Sequence, residues 1–166
     1  MNPHEQLQQL EETNQHVFHG SPDGDIEILE PRQGTHIPDA TKPKETILDG
    51  EPAVSATPHA ELATFRAIIN RKNIPISHSS GFGTTDGRKH FRVSSPEVLE
   101  HAKDKKGYVY VFDKKDFKPY DREQPENPRE GAMEWRAYTP VKPVDVIEVS
   151  SNDLPHIDRI EVGGEE

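Results

Sequence analysis

Seven residues, "GYVYVFD" from Gly107 to Asp113, constrain this chain more than any others. Tyr108, Val109, Tyr110, Val111 and Phe112 are all β-branched or aromatic, the side chains that fit a pleated surface best. They run without a polar residue between them. A strand that is apolar on both faces must be covered on both, so this run predicts a central strand with layers on either side. The rest of the chain supplies short partners for it. "HVFHG", "HFRVS", Pro52 to Ala56, Met133 to Tyr138 and Val144 to Val149 all read as strands, and "NIPISHSS" as a further short one. "DIEILEP" alternates weakly, as a short strand or a single turn.

Helical signals lie between these segments. Thr57 is a good N-cap, Pro58 suits a first helical position, and Leu62, Phe65 and Ile69 then recur at helical spacing. Ser95 and Pro96 open a second helix toward Lys105, with Gly107 as its terminator. A short polar helix over Pro3 to Glu12 carries one apolar pair, Leu7 and Leu10. Gln33 to Glu51 has little periodicity and reads as a long surface loop; "GFGTTDG" reads as a flexible loop or hairpin tip without the lysine of a phosphate-binding P-loop. Strands and helices do not alternate regularly, so the expectation is a compact α+β domain. Its expected bounds are 16–150, after a polar helix over 1–15 and before a polar tail over 151–166.

Length and composition set further limits. A chain of 166 residues fits one domain with a real core. Only 31% of residues are apolar and 30% are charged, but the apolar ones are clustered, which favours a folded centre with polar margins. There is no cysteine, so disulfides, thiolate chemistry and cysteine-ligated zinc are excluded. His36, His59, His78, His90, His101 and His156 show no ligand spacing on one helix, and no metal is expected. A formal charge of −10 disfavours broad binding to nucleic acid, although Arg66, Arg71 and Lys72, and Arg88, Lys89 and Arg92, form local basic groups. No run approaches the ~18 apolar residues of a membrane helix, and the first residues lack a secretory pattern, so no membrane partner and a cytoplasmic location are expected.

The strand "HVFHG" stops at His19-Gly20-Ser21 and turns at Pro22-Asp23-Gly24. Read alone, the tripeptide is either turn punctuation or an imidazole and a backbone offered to a ligand. Later segments follow it in a telling order: a strand ending in Ser-Ala-Thr-Pro, a helix with an aromatic residue, a tyrosine-rich strand, and a strand opened by Glu134. In that order the chain resembles the ADP-ribosyltransferases of the diphtheria-toxin and poly(ADP-ribose) polymerase type, as a divergent member, over about Val17 to Val149. The resemblance implies a split β-sheet core with two or three short helices. It also implies NAD as substrate, gripped by His19, Gly20 and Ser21. The histidine would bond the nicotinamide-side ribose. The glycine backbone would bond the nicotinamide amide, which needs a paired N–H and C=O.

Carried through the chain, the resemblance leaves gaps. The family's first stacking tyrosine falls on Val54, two residues before the small Ala56, and a hydroxyl of the polymerases falls on Leu62. The second stacking aromatic falls on Phe65, whose spacing equally suits the core face of an amphipathic helix. Glu134 takes the place of the catalytic glutamate, beside the oxocarbenium-like ribose; as a residue alone it also reads as an exposed strand-end charge. Ala132, two residues earlier, disfavours modification of arginine. Three functions are therefore carried forward: transfer of ADP-ribose to a protein or nucleic-acid acceptor, a non-catalytic ligand-binding or interaction module of the same fold, and an RNA 2′-phosphotransferase-like activity.

Overall fold

The computed structural model describes residues 1–36, 41–42, 44–85, 88–129, 131–154 and 159–163. His156 lies outside them, as do Asp86 and Gly87 of the glycine-rich segment. The chain runs α1 (Pro3–Glu12), β1 (His16–Ser21), β2 (Thr35–His36), β3 (Ile47–Leu48), β4 (Val54–Ala56) and α2 (Ala60–Ile68). It continues through β5 (Ser80–Thr85), β6 (Arg88–Val93), α3 (Pro96–Ala102), β7 (Lys106–Asp113) and β8 (Lys118–Tyr120). It closes with β9 (Glu134–Ala137), β10 (Asp145–Ser150) and β11 (Ile160–Val162). The strands form small sheets ordered β1-β7-β10, β4-β9-β8, β11-β6-β5 and β2-β3, an α+β fold. Among the described residues no helix is long and apolar enough to cross a membrane.

β7 is the middle strand of its sheet, antiparallel to β1 and β10. Its unbroken apolar run is explained by two cores, one on each face. Val109 and Val111 join Phe18, Phe65, Ile68 and Phe91 under the helices. Tyr110 and Phe112 point the other way, into a second cluster with Val17, Val54, Ala56 and Trp135. Strand alternation thus divides one apolar segment between two layers.

Helix α2 lies so close on this sheet that two strand positions must be glycine. A Cβ on Gly107 would sit 2.1 Å from the Ala67 carbonyl oxygen, and one on Gly20 2.0 Å from the Ala63 carbonyl oxygen. Ala63 and Ala67 are one helical turn apart, so the small face of the helix meets the small positions of the strands. Gly107→Ala is expected to destabilise the protein by about 3 kcal/mol or more, the upper range for overpacking, because backbone rather than a flexible side chain must yield. Gly131→Ala, with nothing within 4 Å of the added carbon, should stay within about 0.5 kcal/mol. Urea unfolding of the pair checks this; equal midpoints would contradict the close approach.

Several local expectations are corrected. Helix α2 begins at Ala60 rather than Pro58, and the nominal cap His59 makes no side-chain cap bond. Thr57 instead pairs with Phe18 through two backbone bonds of 2.7 and 2.9 Å. The free N–H of Ala60 is met from α1, by Glu11 Oε1 at 2.8 Å. Gly107 does not end α3, which stops at Ala102; it belongs to β7. Residues 81–85 of the expected loop or hairpin tip lie in β5 (Ser80–Thr85), paired antiparallel with β6. "DIEILEP" gives one isolated bridge, Leu29 to Val141, and Arg32 just after it a second, to Ala53. The expected polar tail also takes part in the fold: Leu154 is buried, and β11 pairs in parallel with β6 through Ile160.

Candidate functional site

β1 is an edge strand. The chain parity is set by two contacts: Phe18 bonds Thr57 with both its N–H and its C=O, while the Gln15 carbonyl accepts from Lys114, which continues the β7 line. Residues 15, 17, 19 and 21 therefore bond β7, and 18 and 20 face away from it. The N–H and C=O of Gly20 lie on the free edge, and among the described residues neither has a partner. The edge opens into a cleft of about 530 Å³ between the β1 sheet, α2 and the β4-β9 strands. That volume lies within the roughly 300–1,000 Å³ of small-molecule sites.

His19 enters from β1. Its Nδ1 is 2.8 Å from the Ser55 carbonyl oxygen, an acceptor only, so Nδ1 carries the proton. Burial pushes the imidazole's pKa down from its ordinary value; the bond to Ser55 opposes this, and the charge of Arg32 adds to it. A neutral ring with Nδ1–H leaves Nε2 as a hydrogen-bond acceptor, and among the described residues nothing donates to it. Ser55 makes a second link: its hydroxyl donates to Glu134 Oε2 at 2.8 Å. One residue of β4 therefore ties His19, through its carbonyl, to Glu134, through its hydroxyl.

Glu134 opens β9 and lines the same cleft. Its Oε2 also accepts from Arg136 Nε at 2.7 Å, so both bonds fall on one oxygen and Oε1 has no partner among the described residues. Arg136 is buried, 6% exposed, and lies 3.6 Å from the centre of the Tyr120 ring. Its Nη1 donates to the Asp49 carbonyl and its Nη2 lies 3.2 Å from Asp49 Oδ2. Asp49 is itself 5% exposed. Burial pushes its carboxyl up, but hydrogen bonds from Arg122 and Tyr120, with the charges of Arg122 and Arg136, hold it at about 2. The Arg122 contact is a two-pronged fork, at 3.2 and 2.8 Å.

The structure thus brings His19, Gly20 and Glu134 to one cleft. It does not bring Ser21 or Phe65 there. Ser21 is buried, and its hydroxyl accepts from the Asp23 N–H to hold the turn that follows β1. Phe65 is fully buried and packs against Phe91, with ring centres 5.2 Å apart. Helix α2 is covered on nearly every side, so the position expected to stack on a ligand faces the core. Phe82 of β5, from the segment read as a flexible loop, lines the cleft together with Phe18 of β1. Val54 is buried in the second core.

Ser55, Asp49, Arg122, Arg136 and Arg66 were not among the residues expected at the site. Asp49 sits in the aperiodic stretch after Gly34, where no local pattern marks it, and its partner Arg122 is 73 positions away. Searches of protein-family models, of curated proteins and of solved structures each returned no significant match.

Proposed function

We propose that the cleft binds NAD and that the protein is an ADP-ribosyltransferase-like enzyme, transferring ADP-ribose to a protein or nucleic-acid acceptor with release of nicotinamide. The observation that carries this reading is the convergence of His19, Gly20 and Glu134, from two strands far apart in sequence, on one cleft with four hydrogen-bonding groups that have no partner among the described residues. The open N–H and C=O of Gly20 match the amide of nicotinamide. The Nε2 acceptor of His19 suits a ribose hydroxyl. Glu134 Oε1 suits the 2′-hydroxyl beside the carbon that gains positive charge.

In that reaction the bond between ribose C1′ and the nicotinamide nitrogen breaks, and its electron pair leaves with nicotinamide. The acceptor's nucleophile then bonds C1′ and gives up its proton. Glu134 stabilises the cationic sugar more than the bound substrate, which is what lowers a barrier. Ser55 and Arg136 hold the carboxylate through its other oxygen, so Glu134 is oriented before the substrate arrives.

A second reading has one observation in its favour. Val54 and Phe65, the positions of the family's stacking pair, both lie in the core, and Arg66 already lies 4.8 Å from the centre of Phe82, a ring that lines the cleft. This favours a ligand-binding module without turnover. The deciding experiment is release of nicotinamide from NAD by the purified protein, with water, protein and nucleic-acid acceptors, a 2′-phosphorylated RNA included. Release that disappears in His19→Ala supports the enzyme. Binding of NAD without release under every acceptor supports the module, and absence of NAD binding removes both.

A further inference from the structure

The cleft contains a cation that its described walls do not neutralise. Asp49 and Glu134 are matched by Arg122 and Arg136. Arg66, from α2, lines the same cleft, and among the described residues no carboxylate comes within ion-pair distance of it. Its one hydrogen-bonded arm is Nη1, which donates to Ser80 Oγ at 2.8 Å. The face of the guanidinium lies 4.8 Å from the centre of the Phe82 ring and 5.7 Å from that of Phe65. Nε and Nη2 have no acceptor among the described residues.

A partly buried guanidinium normally finds a carboxylate, since losing water without a counter-charge is costly. The chain carries thirty Asp and Glu against twenty Lys and Arg, and none of the described carboxylates pairs with this guanidinium. The rings and Ser80 hold the planar fork in a fixed orientation, and such a fork fits phosphate oxygens in pairs. Burial also lowers the pKa of Arg66, through loss of water around the cation.

We propose that Arg66 is a phosphate-binding residue: its free arms hold a phosphoryl oxyanion of a ligand in this cleft, with Ser80 and Phe82 fixing the guanidinium. The proposal rests on the nucleotide reading of the site and deepens it by assigning its diphosphate end to Arg66 of α2.

The test is titration calorimetry with inorganic pyrophosphate, ADP-ribose and nicotinamide on wild type, Arg66→Gln and Arg66→Met, with urea unfolding of each. Arg66→Met keeps an apolar stem on Phe82, giving a folded charge-free variant if Gln at this position does not fold. Both variants should bind pyrophosphate and ADP-ribose about ten- to a hundredfold more weakly, the range for a charge-assisted bond, while affinity for uncharged nicotinamide stays put. Equal phosphate affinities in a folded variant, or no binding of either phosphate ligand by wild type, would overturn the proposal. Arg66-dependent pyrophosphate binding without nicotinamide release from NAD would leave the anion site standing and remove the transferase. Nicotinamide release with unchanged KM in Arg66→Met would do the reverse.

Discussion

Arg136→Met is expected to lower the unfolding free energy by about 3–5 kcal/mol, the range for breaking a buried ion pair by removing one partner. Arg136 is the guanidinium that joins Glu134 to Asp49, and it is almost wholly buried. Without it, two carboxylates face each other across the gap, and Asp49 keeps the half-exposed Arg122 as a cation. The ring face of Tyr120 also loses its cover. The double variant Asp49→Asn/Arg136→Met should recover part of the loss, since removing the whole interaction leaves less charge stranded than removing half of it. Urea unfolding at neutral pH measures both. Additive losses would show that the two residues act independently, against the geometry. The same network sets an acid limit. Asp49 titrates at about 2 in the fold against an ordinary 3.8, so its contribution is full above about pH 4 and is lost as pH falls through 2. The slope of stability with pH in that window should be shallower in Arg136→Met, where the carboxyl has lost one of its cations.

On the proposed reaction, Glu134→Gln is expected to reduce turnover by roughly 10²–10³, or about 3–4 kcal/mol on the barrier, with little change in NAD affinity. The change keeps the size of the side chain and an oxygen for Ser55, but it removes the charge that stabilises the cationic ribose. It also alters the bond to Arg136, so the fold must be checked beside the rate; an unchanged urea midpoint with a lost rate isolates the chemistry. Nicotinamide release at saturating NAD is the assay. A variant that keeps the wild-type rate removes Glu134 from the reaction. Ser55→Ala gives an intermediate case, because it frees Oε2 of one donor while leaving the charge, and a several-fold loss in turnover would mark Ser55 as a positioning residue.

Part of this architecture was legible in the chain because it is written in neighbouring residues. The run from Tyr108 to Phe112 has no polar face, and a strand of that kind has to be central. The helix over 60–68 follows from apolar spacing, and the one over 96–102 from apolar spacing and the placement of Pro96. His-Gly at a strand end and Glu at a strand start were visible as residues, and their order along the chain suggested that they meet.

What tertiary structure alone decided is which face each residue presents and which distant group it meets. Phe65 has the spacing of a ligand-facing ring and of a core ring alike; it is core because α2 is enclosed by the β1 sheet on one side and by Phe91 of β6 on another. Gly20 reads as a turn residue, but it is glycine where Ala63 leaves no room for a Cβ, and its backbone is open because Phe18, not Gly20, takes Thr57. Asp49, Arg122 and Arg136 carry no local signature, since an ion pair between residues 73 to 87 positions apart depends on the path of the backbone between them. Propensity and periodicity act over a few residues and so determined the elements. Burial and charge neutralisation act across the whole fold, and they decided the lining of the cleft.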